Sequence, residues 1–242
     1  MIPMPLERII FTTVFFFAFT LNAITGFAGG IITMPVGIAT LGIHNSIAVM
    51  NVLGFCASAF IVISGFKHIN WKEVRKITLT MVVFLILGIW LINNVPLDFL
   101  LRIYGIFIIL VGLKNLIQKE QRYLPNWALW IVLALAGLIQ GMFVSGGACL
   151  VIYAMQKFQD KDEFRASISM VWTILNFAYA LYYFIIGNFT PVVFETCAIC
   201  IPLLIIATLI GNAIAKRISQ KGFAKFTNIL LLIVGTFTFC MA

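Results

Sequence analysis

The chain has 242 residues, 62% of them hydrophobic and only 10% charged, with a mean hydropathy of +1.10. A soluble domain carries about 45–50% apolar and roughly 25% charged residues, so this chain lacks the polar surface that would cover a globule in water. The net charge of +8 does not call for nucleic acid, because the basic residues sit in short loops between apolar runs, where the positive-inside rule accounts for them. The expected class is all-α: a polytopic bundle of membrane helices forming one membrane domain, with the bilayer as its first partner.

In chain order, apolar runs cover about 9–43, 46–66, 77–93, 97–117, 127–158, 164–186, 194–215 and 226–242. The N-terminal Met-Ile-Pro-Met-Pro-Leu-Glu-Arg leads into a run longer than a signal-peptide core, so it is expected to be retained. Six runs are near the roughly 20 residues that one crossing needs. The first and fifth are too long. As a single helix, 9–43 would measure about 52 Å against a hydrocarbon core of ~30 Å. Both are interrupted, by Gly26-Phe27-Ala28-Gly29-Gly30 and by Ser145-Gly146-Gly147. Gly costs about 1 kcal/mol against Ala within a helix, so a break is expected at each. Irregular backbone at membrane depth survives only where protein buries it or where it lines a polar cavity.

Loop charges predict the orientation. Lys67, Lys72, Arg75 and Lys76 follow the second run; Lys114, Lys119 and Arg122 follow the fourth. Lys157, Lys161 and Arg165 follow the fifth; Lys216, Arg217, Lys221 and Lys225 follow the seventh. These are 14 of the 16 Lys and Arg residues, which assigns the four loops to the cytoplasm. Run 127–158 then enters and returns on that side. If 9–43 returns likewise, both termini lie outside. Each half, 1–122 and 123–242, is then one glycine-broken re-entrant hairpin plus three crossings, and the halves are inverted repeats.

The residues themselves repeat. Gly29-Gly30 matches Gly146-Gly147 at an offset of 117, and at 118 Asn51 matches Ser169, Phe55 matches Thr173 and Ser58 matches Asn176. His44, Asn51 and Ser58 share one helix face, as do Ser169, Thr173, Asn176 and Tyr183. Such stripes serve either to stitch helices together or to wall a pathway.

A helix that starts at a glycine break offers unpaired N–H groups and a positive dipole end, which together favour an anion. Transporters place such half-helix termini near the midplane, at the interface of inverted repeats. The second half-helices are expected to begin near Gly30-Ile31-Ile32 and Gly147-Ala148-Cys149. The candidate substrate-binding set is therefore Gly29, Gly30, Ile31, Ile32, Ser145, Gly146, Gly147, Ala148 and Cys149, flanked by Asn51, Ser58, Ser169, Thr173 and Asn176. Close packing of small residues is the alternative for a lone Gly-Gly. Two at equivalent places, each in a run of anomalous length, favour a site for a small anion.

Other signals carry less. Cys56, Cys149, Cys197, Cys200 and Cys240 all lie in apolar stretches, which is no disulfide framework. Cys197-Ala-Ile-Cys200 leaves an alternative function, a thiol-redox or assembly subunit that transports nothing, although buried Cys commonly behaves as a small hydrophobe. His44 and His68 sit near segment ends, and no nucleophile–base pair or metal-ligand cluster stands out, so an enzyme, a cofactor and a metal are not expected. No acid lies near the centre of a run to mark proton coupling. Arg102 is expected to snorkel to the outer interface. A homodimer is compatible with this layout.

The segment Gly26-Phe-Ala-Gly-Gly-Ile-Ile-Thr-Met-Pro35 resembles the signature G-x-G-G-G-x-x-x-x-P of the sulfite exporter (TauE/SafE) family, within the toluene sulfonate uptake permease superfamily. Gly141-Met-Phe-Val-Ser-Gly-Gly147, Arg165-Ala-Ser167 and Gly65-Phe-Lys-His-Ile-Asn-Trp-Lys72 are similar to that family too, and the likeness spans essentially the whole chain. It departs in having Ala28 where Gly is usual and no Pro near Ile152. The resemblance implies a bacterial inner-membrane carrier, working by alternating access, for sulfite, organosulfonates or related sulfur anions. The half-helix argument by itself says only "anion".

Overall fold

A computed structural model describes residues 6–25, 28–117, 124–215 and 220–242. Gly26 and Phe27 of the first break, and the basic Lys119, Arg122, Lys216 and Arg217, lie outside the described residues. Among those described the chain is helical, without strands: α1 Leu6–Thr25, α2 Ala28–Leu41, α3 Ile43–Gly65, α4 Trp71–Asn94, α5 Leu97–Ile117, α6 Asn126–Phe143, α7 Gly147–Lys157, α8 Lys161–Ile185, α9 Pro191–Ala215 and α10 Gln220–Met241. Six of these, α1, α3, α4, α6, α8 and α9, are long and apolar enough to cross a membrane.

The two over-long runs divide as their glycines suggest, into α1 and α2 and into α6 and α7. α3, α4, α8, α9 and α10 begin ahead of their apolar runs, whereas α5 coincides with its run. α4 begins six residues ahead of its run, capped by Asn70, whose side chain accepts from the Glu73 N–H at 3.1 Å. Asp160 caps α8, accepting from the N–H groups of Asp162 (2.9 Å) and Glu163 (2.8 Å). Hydropathy marks the membrane edge, whereas a side-chain cap carries the helix on into the interface.

Polar contacts sort the segment ends. Arg8 pairs with Glu195, bringing together the starts of α1 and α9. Thr190 donates to Asn45 at 2.8 Å, and His44 lies 3.3 Å from the Tyr183 hydroxyl, so the α2–α3 turn is at that same end. At the opposite, basic end the Asn70 amide donates to Glu163 (2.7 Å), Tyr153 donates to Glu73 (2.9 Å) and Lys157 donates to Asn126 (3.3 Å). Each broken hairpin thus begins and finishes at its own end of the bundle.

The most extensive helix pairs are α5 with α10, α4 with α6, α3 with α8, and α1 with both α2 and α9. Exchanging α1–α5 for α6–α10 converts the α4–α6 pair into α9–α1 and leaves α3–α8 and α5–α10 as they are. Glycine permits the closest crossing: a carbon added at Gly141 on α6 would strike the Leu85 carbonyl of α4 and approach Gly88. Small residues at such crossings let backbones pack where lipid supplies no hydrophobic drive. Phe60 and Ile63, 78% and 80% exposed, belong to an apolar exterior. Most of α2 is buried, including its first residues Ala28 and Gly29.

Candidate functional site

The 14 residues of α2 and the 11 of α7 run from the breaks to opposite ends of the bundle. At ~1.5 Å per residue they measure about 21 and 16 Å, so together they span roughly one bilayer and their starts meet part-way through. The meeting is direct. A carbon added at Gly30 would lie 3.0 Å from the Val144 carbonyl oxygen and 3.7 Å from Ser145 Cα.

Helical geometry leaves the first N–H groups of each half-helix without an intrahelical acceptor: those of Ala28, Gly29 and Gly30 in α2, and of Gly147, Ala148 and Cys149 in α7. Because α2 starts at Ala28, two residues earlier than the sequence suggests, Ile31 and Ile32 fall inside the helical ladder. Their side chains pack in the core, 0% and 4% exposed. The N–H groups of Gly29 and Gly30 stand in the first turn of α2, followed directly by the buried Ile31 and Ile32.

Two side-chain amides, which the glycine pattern does not single out, reach these starts. Asn22 Oδ1 accepts from the Gly29 N–H at 3.2 Å, and Gln140 Oε1 accepts from the Gly146 N–H at 3.2 Å. Positions 22 and 140 are 118 apart, the offset that relates the polar stripes, so a repeat comparison extended to amides would have found them. Gln140 is buried, and its Nε2 donates to Asn176 Oδ1 at 2.9 Å, tying the second break to α8. Tyr104 of α5 lies 2.6 Å from Ser145 Oγ and stacks on Phe143, ring centroids 4.1 Å apart. Tyr179 of α8 donates to the Gly141 carbonyl at 2.6 Å.

α6 ends on Val144, which has φ 48°, in the left-handed region. A β-branched residue is strained there, at a cost of order 1–3 kcal/mol, and persists only when its surroundings over-determine it. The Val144 N–H bond to the Gln140 carbonyl, 3.0 Å, and the side chains around Ser145 supply that constraint.

The stripes meet at the α3–α8 crossing. Thr173 donates to the Ser169 carbonyl at 2.8 Å and its hydroxyl lies 3.0 Å from Ser58 Oγ, and a carbon added at Gly54 would lie 2.6 Å from Asn176 Nδ2. Ser58, Ser169 and Asn176 are buried, so this part of the stripes does stitch helices together. Asn51 is different. It is fully buried, its Nδ2 donates to the Ile47 carbonyl at 2.9 Å, and its Oδ1 has no partner. Thr33, four residues beyond Gly29 and so on the same helix face, is also fully buried with its hydroxyl unpaired.

Thus Gly30 meets Ser145, Gly29 is held by Asn22, and Gly146 shares the Gln140–Asn176 network. Ala148 and Cys149 are buried in the first turn of α7. None of these residues carries a fixed charge; the positive potential comes from the backbone of two helix starts. Arg102 donates to the Ala242 carbonyl at 3.2 Å. Cys197 and Cys200 are free thiols buried along α9, and among the described residues no group of three or more metal-ligating side chains forms.

The family model described as "Sulfite exporter TauE/SafE" matches residues 11–238. Over 174 residues, 71% of this chain and 73% of the other, the sequence is 23% identical to the "Probable inner membrane transporter protein TsaS" of Comamonas testosteroni. Over 199 residues, 79% of this chain and 77% of the other, it is 23% identical to the "Probable sulfite/organosulfonate exporter TauE" of Cupriavidus necator. No solved structure matches it.

Proposed function

Since the chain belongs to the sulfite exporter TauE/SafE family, and is a membrane transporter on that ground, we propose that its cargo is a small sulfur-containing oxyanion such as sulfite or an organosulfonate, exported by alternating access. The observation that carries this reading is the contact of Gly30 with Val144 and Ser145, which brings two half-helix starts together inside the membrane bundle. Backbone donors suit an oxyanion because several can converge on it without a buried Lys or Arg. A hydrogen bond to a charged group contributes about 1.5–3 kcal/mol net, so a few donors from each side offset much of the desolvation cost and still allow release.

In this reading the halves 1–122 and 123–242 are inverted repeats. The anion sits between Gly29–Ile32 and Ser145–Cys149, beside Asn51, Ser58, Ser169, Thr173 and Asn176. Asn22 and Gln140 hold the N–H groups of Gly29 and Gly146 while no anion is bound. The basic end faces the cytoplasm and both termini face outward, by the distribution of Lys and Arg.

Flux into proteoliposomes, measured against sulfite, sulfate, thiosulfate, sulfoacetate and taurine, tests the cargo. Sulfite or a sulfonate is expected to be carried, and protein that inserts normally yet moves none of the five would overturn the assignment. On a Cys-free background, a Cys placed at Gln220 should resist an impermeant reagent added outside intact cells; labelling there reverses the orientation.

A further inference from the structure

The basic end of the bundle holds a cavity of about 270 Å³, lined by Lys76, Asn126, Leu129, Trp130, Tyr153 and Lys157, where α4, α6 and α7 meet. It shares no residue with the helix breaks. We propose that this cavity is a second oxyanion site, built on Lys76 and Lys157, for a phosphate-type group: the headgroup of an anionic phospholipid or a free oxyanion.

Charge supports the assignment first. Neither ammonium has a carboxylate within ion-pair distance among the described residues, where Arg8–Glu195 is the ion pair found. Glu73, one turn before Lys76, is the nearest acid along α4, and it accepts the Tyr153 hydroxyl at 2.9 Å. That bond directs the carboxylate to the phenol and fixes the ring that forms one wall of the cavity.

The lysines are also pre-positioned. Lys76 Nζ stands 4.9 Å from the centre of the Trp130 ring and 5.7 Å from that of Tyr153, held against both aromatic faces. Lys157 Nζ donates to Asn126 Oδ1 at 3.3 Å. An ammonium has three donors, so Lys157 keeps two for a ligand and Lys76 keeps its own. Two cations held by neighbouring side chains lose less freedom on binding than two mobile ones.

Position supplies the third argument. Trp127 and Trp130 are 68% and 46% exposed beside the cavity, the placement of aromatic residues at a membrane–water interface. Basic pockets between helices at the cytoplasmic boundary receive anionic headgroups. With the orientation and export direction proposed above, on which this last argument rests, the same opening faces the side from which the exported anion approaches.

The test uses the purified full chain in detergent. Native mass spectrometry compares retention of phosphatidylglycerol with that of phosphatidylcholine, and equilibrium dialysis measures inorganic phosphate and sulfite. In the Lys76→Gln/Lys157→Gln protein, binding of at least one anionic ligand is expected to weaken about tenfold or more, while Lys76→Arg/Lys157→Arg retains most of it. Loss confined to phosphatidylglycerol makes the lipid headgroup the occupant; loss confined to phosphate or sulfite makes it a free oxyanion. Wild-type protein that binds none of these ligands, or a double Gln variant that binds all of them as tightly as wild type, overturns the site.

Discussion

At the first break Asn22, on the same hairpin as Gly29, accepts from the Gly29 N–H in a stretch of sequence rich in glycine. At the second, Gln140 makes the equivalent bond to Gly146, yet the residue that turns the chain out of α6 is Val144 in the left-handed region. Tyr104 from α5 and Asn176 and Tyr179 from α8 converge on this second break and hold it from two further helices. Both breaks end a helix and expose the start of another. At the second, the surroundings enforce a strained bend at Val144. A glycine pair announces a break, while the rigidity of the break is set by what packs around it.

The contact between the breaks is the first place to test this difference. Gly30→Val adds a branched side chain whose first carbon lies 3.0 Å from the Val144 carbonyl, which the clasped second break cannot easily yield. Overpacking of this kind costs about 1–3 kcal/mol, so flux should fall about tenfold or more while the protein still inserts. Normal flux from correctly inserted Gly30→Val protein would falsify the site.

The two amides should then separate the breaks. Gln140→Leu leaves the Gly146 N–H and Asn176 Oδ1 without their partner in buried surroundings, at roughly 1–3 kcal/mol for each. Asn22→Leu removes a bond at a half-buried position and should cost about 1 kcal/mol. Thermal unfolding in detergent ranks them, and equal shifts in Tm would show that the breaks are held alike. A smaller effect, about 1 kcal/mol, is expected of Tyr104→Phe, which keeps the stack on Phe143 and loses the bond to Ser145.

The smallest effect on stability belongs to Asn51→Leu. With Oδ1 already unpaired, an apolar side chain of similar size leaves fewer polar atoms unsatisfied, so Tm should hold or rise slightly. Substrate affinity should nevertheless weaken severalfold, consistent with about 1 kcal/mol for one lost hydrogen bond. Unchanged affinity in a stable Asn51→Leu protein removes this residue from the site.

Much of the architecture was legible because its signals are local. Run length and hydropathy give the helices, and the paired glycines give the breaks between α1 and α2 and between α6 and α7. The earlier starts of α4 and α8 were legible too, since Asn70 precedes Glu73 and Asp160 precedes Glu163 by the three residues typical of a capped first turn. Reading apolar runs alone passes over them, because the first turn of each helix is polar.

The remaining features depend on distance through space. Nothing local to Val144 predicts φ 48°; that conformation follows from contacts made by residues far along the chain. Tyr104 reaches Ser145 across 41 positions, and Lys76 meets Trp130 and Tyr153 only because α4 packs beside the second hairpin. Where helices form and where they fail was written in the residues themselves, since hydropathy and glycine act within a few positions. Which amides, hydroxyls and ammonium groups face each other was settled by the crossing of whole helices, because a hydrogen bond reaches only about 3 Å and its partner can come from anywhere in the chain.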